Sequence, residues 1–273
     1  MSTLMSSRVR LPKSRGGRVG LGLLIGIVSV ALFGPYFAPY SPTETLGVPY
    51  SPPGSVTVLG LDFLGRDVLS RVLYGGRSVL WFAGVATFLA YVVGLAVGLL
   101  AGYRRSWLDG WLMRGMDVLL AFPTLIFILV MSNAFSRGIA AVVVATAVIQ
   151  IPPIARIVRA ATVEQSVRGY VEAAITRGES MVSVLRREIL PNLARTLAAD
   201  VGLRFTWSVL LIASVNFLGL GLQPPSADWG LMISENRAGI GLNPLAVVAP
   251  ALLLGGLTVA INLVGDSLSS EPE

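Results

Sequence analysis

Residues 170–191 read YVEAAITRGESMVSVLRREILP. Glu172, Arg177, Glu179, Arg186, Arg187 and Glu188 crowd into it, within a chain of 273 residues that is 54% hydrophobic and only 13% charged. Val171, Ala174, Ile175, Gly178, Met181, Val182, Leu185 and Ile189 recur in steps of three and four, with the charged side chains largely elsewhere. That spacing predicts an amphipathic helix ended by Pro191. Gly178 falls in the middle of it, where glycine costs about 1 kcal/mol relative to alanine. With Ala173 and Ala174 it makes a stretch of small side chains that another backbone can approach. Such a helix either docks on a protein or lies on lipid. Glu172, Glu179 and Glu188 weaken attraction to anionic lipid and favour the protein.

The rest of the chain places this helix. A mean hydropathy of +0.74 is that of a membrane protein. Crossing a hydrocarbon core of about 30 Å takes roughly 20 apolar residues. Six runs qualify: 19–38, 78–102, 116–135, 138–155, 197–221 and 244–265. The third holds Pro123, the fourth runs into Pro152 and Pro153, and the fifth carries Asp200 and Arg204. The first follows a basic tail, as a signal peptide does. It exceeds the usual 7 to 15 residue apolar core and lacks a clear small-x-small cleavage site, so it reads as a retained anchor.

With the N-terminus inside, only Arg66, Arg71, Arg77, Arg137 and Arg237 of the 21 Lys and Arg fall outside. This obeys the positive-inside rule. The pI near 10.2 is thus a matter of topology, and nucleic acid is not an expected partner. The reading is an all-α integral membrane protein of six transmembrane helices with both termini cytoplasmic. Residues 1–18 form a cytoplasmic tail, 19–38 an anchor helix and 39–77 an external loop. Residues 78–266 form a five-helix core that includes a cytoplasmic loop at 156–196, and 267–273 form a second cytoplasmic tail. The quoted stretch falls in that loop.

Cysteine is absent and so is histidine. Disulfides, thiolate or imidazole metal sites, and any nucleophile or base built from those side chains are excluded. No catalytic residue and no metal site are expected. No G-x-x-x-x-G-K-[ST] loop occurs, so the chain has no ATP site of that kind and no cofactor of its own is expected.

Within the external loop, GLDFLGRDVLSRVLYGGRSVL (60–80) sets Leu64, Val68, Val72 and Leu73 near helical spacing. Asp62, Arg66, Asp67 and Arg71 are available for i, i+4 pairs. A short helix lying along the outer surface is expected. It either contacts an external protein or the mouth of a path, through residues such as Arg66 and Asp67, or it caps the first two spans. QPPSADW (223–229) offers a turn and an aromatic, Trp229, placed to sit at the interface or to serve in gating or docking. Asp200 and Arg204 are one helical turn apart, so pairing reduces the cost of burying each; Arg204 near the cytoplasmic end can also snorkel. Pro123, Pro152, Pro153 and Pro250 are candidate kinks. Gly94 and Gly98 have the small-xxx-small spacing of a close helix contact.

The run EAAITRG, followed after ten residues by ILP, resembles the EAA motif of the membrane subunits of ATP-binding-cassette importers. DVLLAFPTLI (117–126), NFLGLGLQPPSADWGLMI (216–233), NLVGDSL (262–268) and the 60–80 stretch are similar to the dipeptide, oligopeptide and nickel permease branch. Where the broad family has isoleucine ten places after the glycine, this chain has Glu188, with Ile189 one place on, a shift common in that branch. The resemblance implies a type I importer permease fold in the plasma (inner) membrane. It implies a coupling helix in which Glu172, Ala173, Ala174 and Gly178 face an ATPase, with Leu190 and Pro191 closing the loop. The implied partners are a second homologous permease subunit, two ATPase subunits that bind ATP and Mg, and an extracytoplasmic solute-binding protein. The implied cargo is a di- or oligopeptide, with nickel or a nickel chelate as the alternative. Rivals from other classes are a stand-alone secondary transporter or channel, which often shows internal repeats and intramembrane acids, and a non-transporting membrane scaffold.

Overall fold

The computed structural model describes residues 14–135 and 138–269. The expected charges at Arg8, Arg10, Lys13 and Arg137, and the segment 270–273, lie outside these. Lipid offers no partner for backbone N–H and C=O groups, so apolar runs satisfy them internally as helices. The helices are α1 (Arg15–Phe33), α2 (Val68–Arg104), α3 (Trp107–Leu120), α4 (Thr124–Ala134), α5 (Ile139–Gln165) and α6 (Gly169–Thr176). They continue with α7 (Met181–Val184), α8 (Leu190–Phe217), α9 (Trp229–Asn236) and α10 (Leu245–Ser269). Five are long and apolar enough to cross a bilayer, or six if the bent pair of α3 and α4 counts as one span.

Several boundaries differ from those read in the sequence. No separate surface helix forms over 60–80. Residues 60–67 are irregular, and helix begins at Val68 and runs unbroken through the second span to Arg104. Asp67 starts it as N-cap, its carboxylate accepting from the Ser70 N–H and hydroxyl. The third run is broken at Pro123, where α3 and α4 meet at 90°; proline has no N–H to continue the ladder and its ring disfavours helix in the residue before it. Pro152 and Pro153, by contrast, do not end the fourth span. They lie inside α5, which continues to Gln165, so the loop expected from 156 starts ten residues later. Both prolines are largely covered by neighbouring helices, a setting in which membrane helices tolerate lost backbone bonds.

The most extensive seam joins α2 to α5. A Cβ at Gly94 would lie 2.7 Å from Ile154, one at Gly98 2.6 Å from Val158, and one at Gly102 2.7 Å from Thr162. Three glycines at four-residue spacing thus form a groove that seats a ridge of α5, the close approach favoured where burial against water is not the driving force. A buried polar cluster crosses the same region. The Gln150 amide of α5 donates to Ser208 Oγ of α8, which also shares a hydrogen bond with Thr87 Oγ1 of α2. Alongside, α1 packs against α10, and α10 against α8 and α9. Asp200 and Arg204 pair within α8 at 3.1 Å, and Tyr91 of α2 donates to the same carboxylate. Arg204 therefore turns inward to its partner rather than out to headgroups.

Replacing Gly98 by leucine should destabilise the protein by about 1–3 kcal/mol or more, because the Ala155 carbonyl, 2.7 Å from the added Cβ, cannot swing away as a side chain would. Thermal unfolding of the purified chain in detergent measures it; Gly84→Leu, where nothing lies within 4 Å, is the control expected to be near neutral.

Candidate coupling site and outer seal

The stretch 169–190 folds as two short helical pieces rather than one helix. α6 ends at Thr176, and Gly178 follows in the left-handed region at φ +79°. The Glu179 N–H reaches back to the Ala174 carbonyl at 3.2 Å and the Gly178 N–H to Ile175 at 2.9 Å. This pair of bonds is the Schellman closure, which places a residue without a Cβ at the left-handed position. Gly178 is thus required by a turn, not by a close neighbour: nothing lies within 4 Å of where its Cβ would be. Ser180 then caps α7, and the Arg177 guanidinium, followed by the Ser183 hydroxyl, holds the Glu179 carboxyl below its usual range.

Pro191 does not end this segment. It sits in the first turn of α8, preceded by a π-helical turn at Leu185–Ile189. The wider turn absorbs the ring that would otherwise strike the preceding carbonyl. Residues 181–217 consequently form one unbroken helical run.

Burial sorts the expected site residues into two groups. Val171 and Ala174 of α6, with Val184, Ile189 and Leu193, join a buried cluster that includes Ile154 and Val158 of α5 and Ala90 of α2. Ala174 is therefore an anchor that faces its own protein. Glu172, Ala173 and Gly178 are exposed, as are Ile175 and Val182, while Leu190 is half-buried and Pro191 exposed. The exposed face offers small and apolar side chains beside an acid; the buried face packs on the π-turn at Leu185–Ile189 within a cluster shared with α5 and α8.

At the other end of the helices a second constellation forms. Asp62 is fully buried, and its Oδ1 accepts from the Leu64 and Arg66 N–H groups. Its Oδ2 takes Arg66 Nε at 2.8 Å and lies 3.2 Å from Arg71 Nε, an ion-pair contact outside hydrogen-bond alignment. Arg71 also reaches Glu235 of α9 at 2.8 Å and the carbonyls of Pro42 and Ser226. Two guanidiniums and two carboxylates thus tie the 39–67 segment to α2 and α9, matching charge for charge in a buried site. Desolvation pushes the Glu235 carboxyl up, and Arg71 and then Arg66 oppose it.

Arg66 is 2% exposed, Asp67 1% and Trp229 0%. Their side chains are not available to touch an incoming protein, and Trp229 lies in the interior rather than at the interface, its Nε1 donating to the Val72 carbonyl at 2.8 Å. Asp228 caps α9 and takes further bonds from Asn216 and Ser78. Sequence reading missed Glu235, Asn216 and Ser78. Asp228, a polar residue just before an apolar run, carried a legible N-cap signal.

A multi-pass helical protein with an exposed, anchored EAA segment at one end and a sealed loop at the other defines a class. The family model described as "Binding-protein-dependent transport system inner membrane component" matches residues 94–270, and "N-terminal TM domain of oligopeptide transport permease C" matches residues 4–53. The chain belongs to the binding-protein-dependent transport permeases and has the type I importer fold.

Among individual relatives, it is 35% identical over 251 residues to the glutathione transport system permease protein GsiD of Pectobacterium atrosepticum, covering 91% of this chain and 83% of that one. It is 32% identical over 263 residues to the dipeptide transport system permease protein DppC of Haemophilus influenzae, covering 94% and 89%. Among solved structures, a chain of the MetNI methionine ABC transporter in an inward-facing conformation superposes with a TM-score of 0.58 at 25% identity, over 69% of this chain and 89% of that one.

Substituting Asp62 by asparagine leaves Arg66 and Arg71 with one carboxylate between them. The expected loss is about 3–5 kcal/mol, the scale for breaking a buried pair. It reads out as a lower unfolding temperature and faster protease cutting within residues 39–60.

Proposed function

We propose that this chain is the permease subunit of an ATP-driven importer of di- or oligopeptides. In this reading the exposed face of 169–190 seats on a separate ATPase subunit that binds ATP and Mg. The observation that carries it is the split of 169–178: Glu172, Ala173, Ile175 and Gly178 face outward, while Val171 and Ala174 join the buried cluster that holds Ile189 of the π-turn, Leu193 of α8 and Ile154 and Val158 of α5. A push on the outer face then passes through the π-turn, on which α6 packs, into α8 instead of being lost in a loose loop. Peptide cargo follows from the names of the relatives, which transport glutathione and dipeptides. The stand-alone transporter, the channel and the scaffold give that anchored face no task, and the binding-protein-dependent family argues against them.

The assembly is a heterodimer with a second permease subunit, two ATPase subunits and an extracytoplasmic solute-binding protein. Both termini and the segment 169–190 lie in the cytoplasm, in keeping with the arginine distribution. ATP binding draws the two coupling segments together and turns the cavity outward; hydrolysis returns it. Leu190 and Pro191 begin the rod that carries the motion. Arg66, Asp67 and Trp229 act in external docking or gating only by holding the shape of the outer surface.

The test uses the reconstituted complex with its ATPase and binding protein, measuring labelled dipeptide uptake beside ATP hydrolysis. Gly178→Val forces a β-branched residue to positive φ and should cut uptake at least about tenfold while hydrolysis persists. Gly178→Asn, which tolerates that region, should retain most uptake. Normal uptake by the valine variant, or uptake with the ATPase omitted, would overturn the reading.

A further inference from the structure

We propose that the outward face of α3 is a binding surface for the headgroups of anionic phospholipid, in the leaflet on the side where α6 lies. No residue of α3 is fully buried; Leu108, Leu112, Met113, Met116 and Leu119 are half-buried where the helix meets α2 and α5, and two ion pairs reinforce that contact. Asp109 accepts from Nε and Nη2 of Arg159 at 2.6 Å each, and Asp117 pairs with Arg156, both arginines on α5. At about 100° per residue, Asp109 and Asp117 lie about 80° apart on α3, while Trp107, Trp111 and Arg114 fall within about 60° of one another, their centre roughly 130° round the helix from that of the two acids. The mooring thus fixes which face looks away.

That face has the chemistry of a headgroup layer. Trp107 is 76% exposed and Trp111 63%, and the Arg114 guanidinium lies over the Trp111 ring at 5.6 Å. Indole rings settle at the boundary between acyl chains and headgroups. Arg104, the last residue of α2, is exposed and separated from α3 by Arg105 in the left-handed region and by Ser106; neither it nor Arg114 has a carboxylate partner among the described residues. Asp109 is engaged by Arg159, so the outward stripe is positive. α3 leaves α4 at 90°, a bend that separates it from the direction of the apolar segment beyond Pro123. The Arg114 guanidinium beside two interfacial indoles, with Arg104 at the adjoining end of α2, matches a phosphate-bearing acidic headgroup over a zwitterionic one, each arginine near an acidic surface favouring it about fivefold. The segment at 170–191 differs: its own glutamates offset its arginines.

The assembled transporter in nanodiscs tests this. One set contains phosphatidylcholine alone and the other phosphatidylcholine with phosphatidylglycerol, with bromine on the acyl chains of one lipid at a time. Quenching of Trp107 and Trp111 is obtained by difference from a Trp107→Phe/Trp111→Phe variant. Brominated phosphatidylglycerol should quench the pair at about fivefold or more lower mole fraction than brominated phosphatidylcholine. Arg114→Gln should reduce that preference about fivefold and Arg114→Lys should keep it, with ATP-driven uptake serving as the folding control. Equal quenching by the two lipids would overturn the proposal. So would the absence of quenching by either, which would mean that another protein chain covers the face.

Discussion

The close contact of α2 with α5 is the constraint on which the other packing rests. Gly94, Gly98 and Gly102 remove side chains from one line of α2, and Ile154, Val158 and Thr162 occupy the space. In lipid there is no water to squeeze out between helices, so such surface fit supplies much of the attraction. The seam adjoins the 169–190 segment: Ile154 and Val158 lie in the same buried cluster as Val171, Ala174, Val184 and Ile189. The Gln150, Ser208 and Thr87 cluster adds α8 to the pair with directional bonds where dispersion alone would permit sliding.

Much of this was legible in the sequence, and the failures have particular causes. Runs of apolar residues located the spans because length and hydropathy decide whether a helix can cross. Gly94 and Gly98 could be read as a contact because their spacing is local. Proline was ambiguous: the same lack of an N–H breaks the helix at Pro123 yet is accommodated at Pro152, Pro153 and Pro191, and what differs is the neighbouring structure, which local sequence does not contain. Gly178 was placed in mid-helix because its flanks keep helical periodicity; only the back-bonds from Glu179 and Gly178 reveal a turn. At the outer seal, Asp62 and Arg66 were near enough to suggest a pair. Their arrangement with Arg71 around Glu235, 164 residues along the chain from Arg71, was beyond any local pattern.

The same comparison changes what the conspicuous residues mean. Arg66, Asp67 and Trp229 stand out in a sequence because charges and tryptophan invite thoughts of contact with another molecule. In the fold they are interior parts that hold the 39–67 segment to α2 and α9. The less conspicuous Ala173 and Ile175 are the ones left uncovered.

Helix α2 runs for 37 residues without a proline, about 55 Å, against a hydrocarbon core of about 30 Å. Arg71 of the outer seal stands near one end and Gly102 of the glycine seam near the other, with Thr87, bonded to Ser208, close to the midpoint. Held at both ends and near its middle, α2 gives its two halves no independent freedom, so the separation between them is set by one continuous rod.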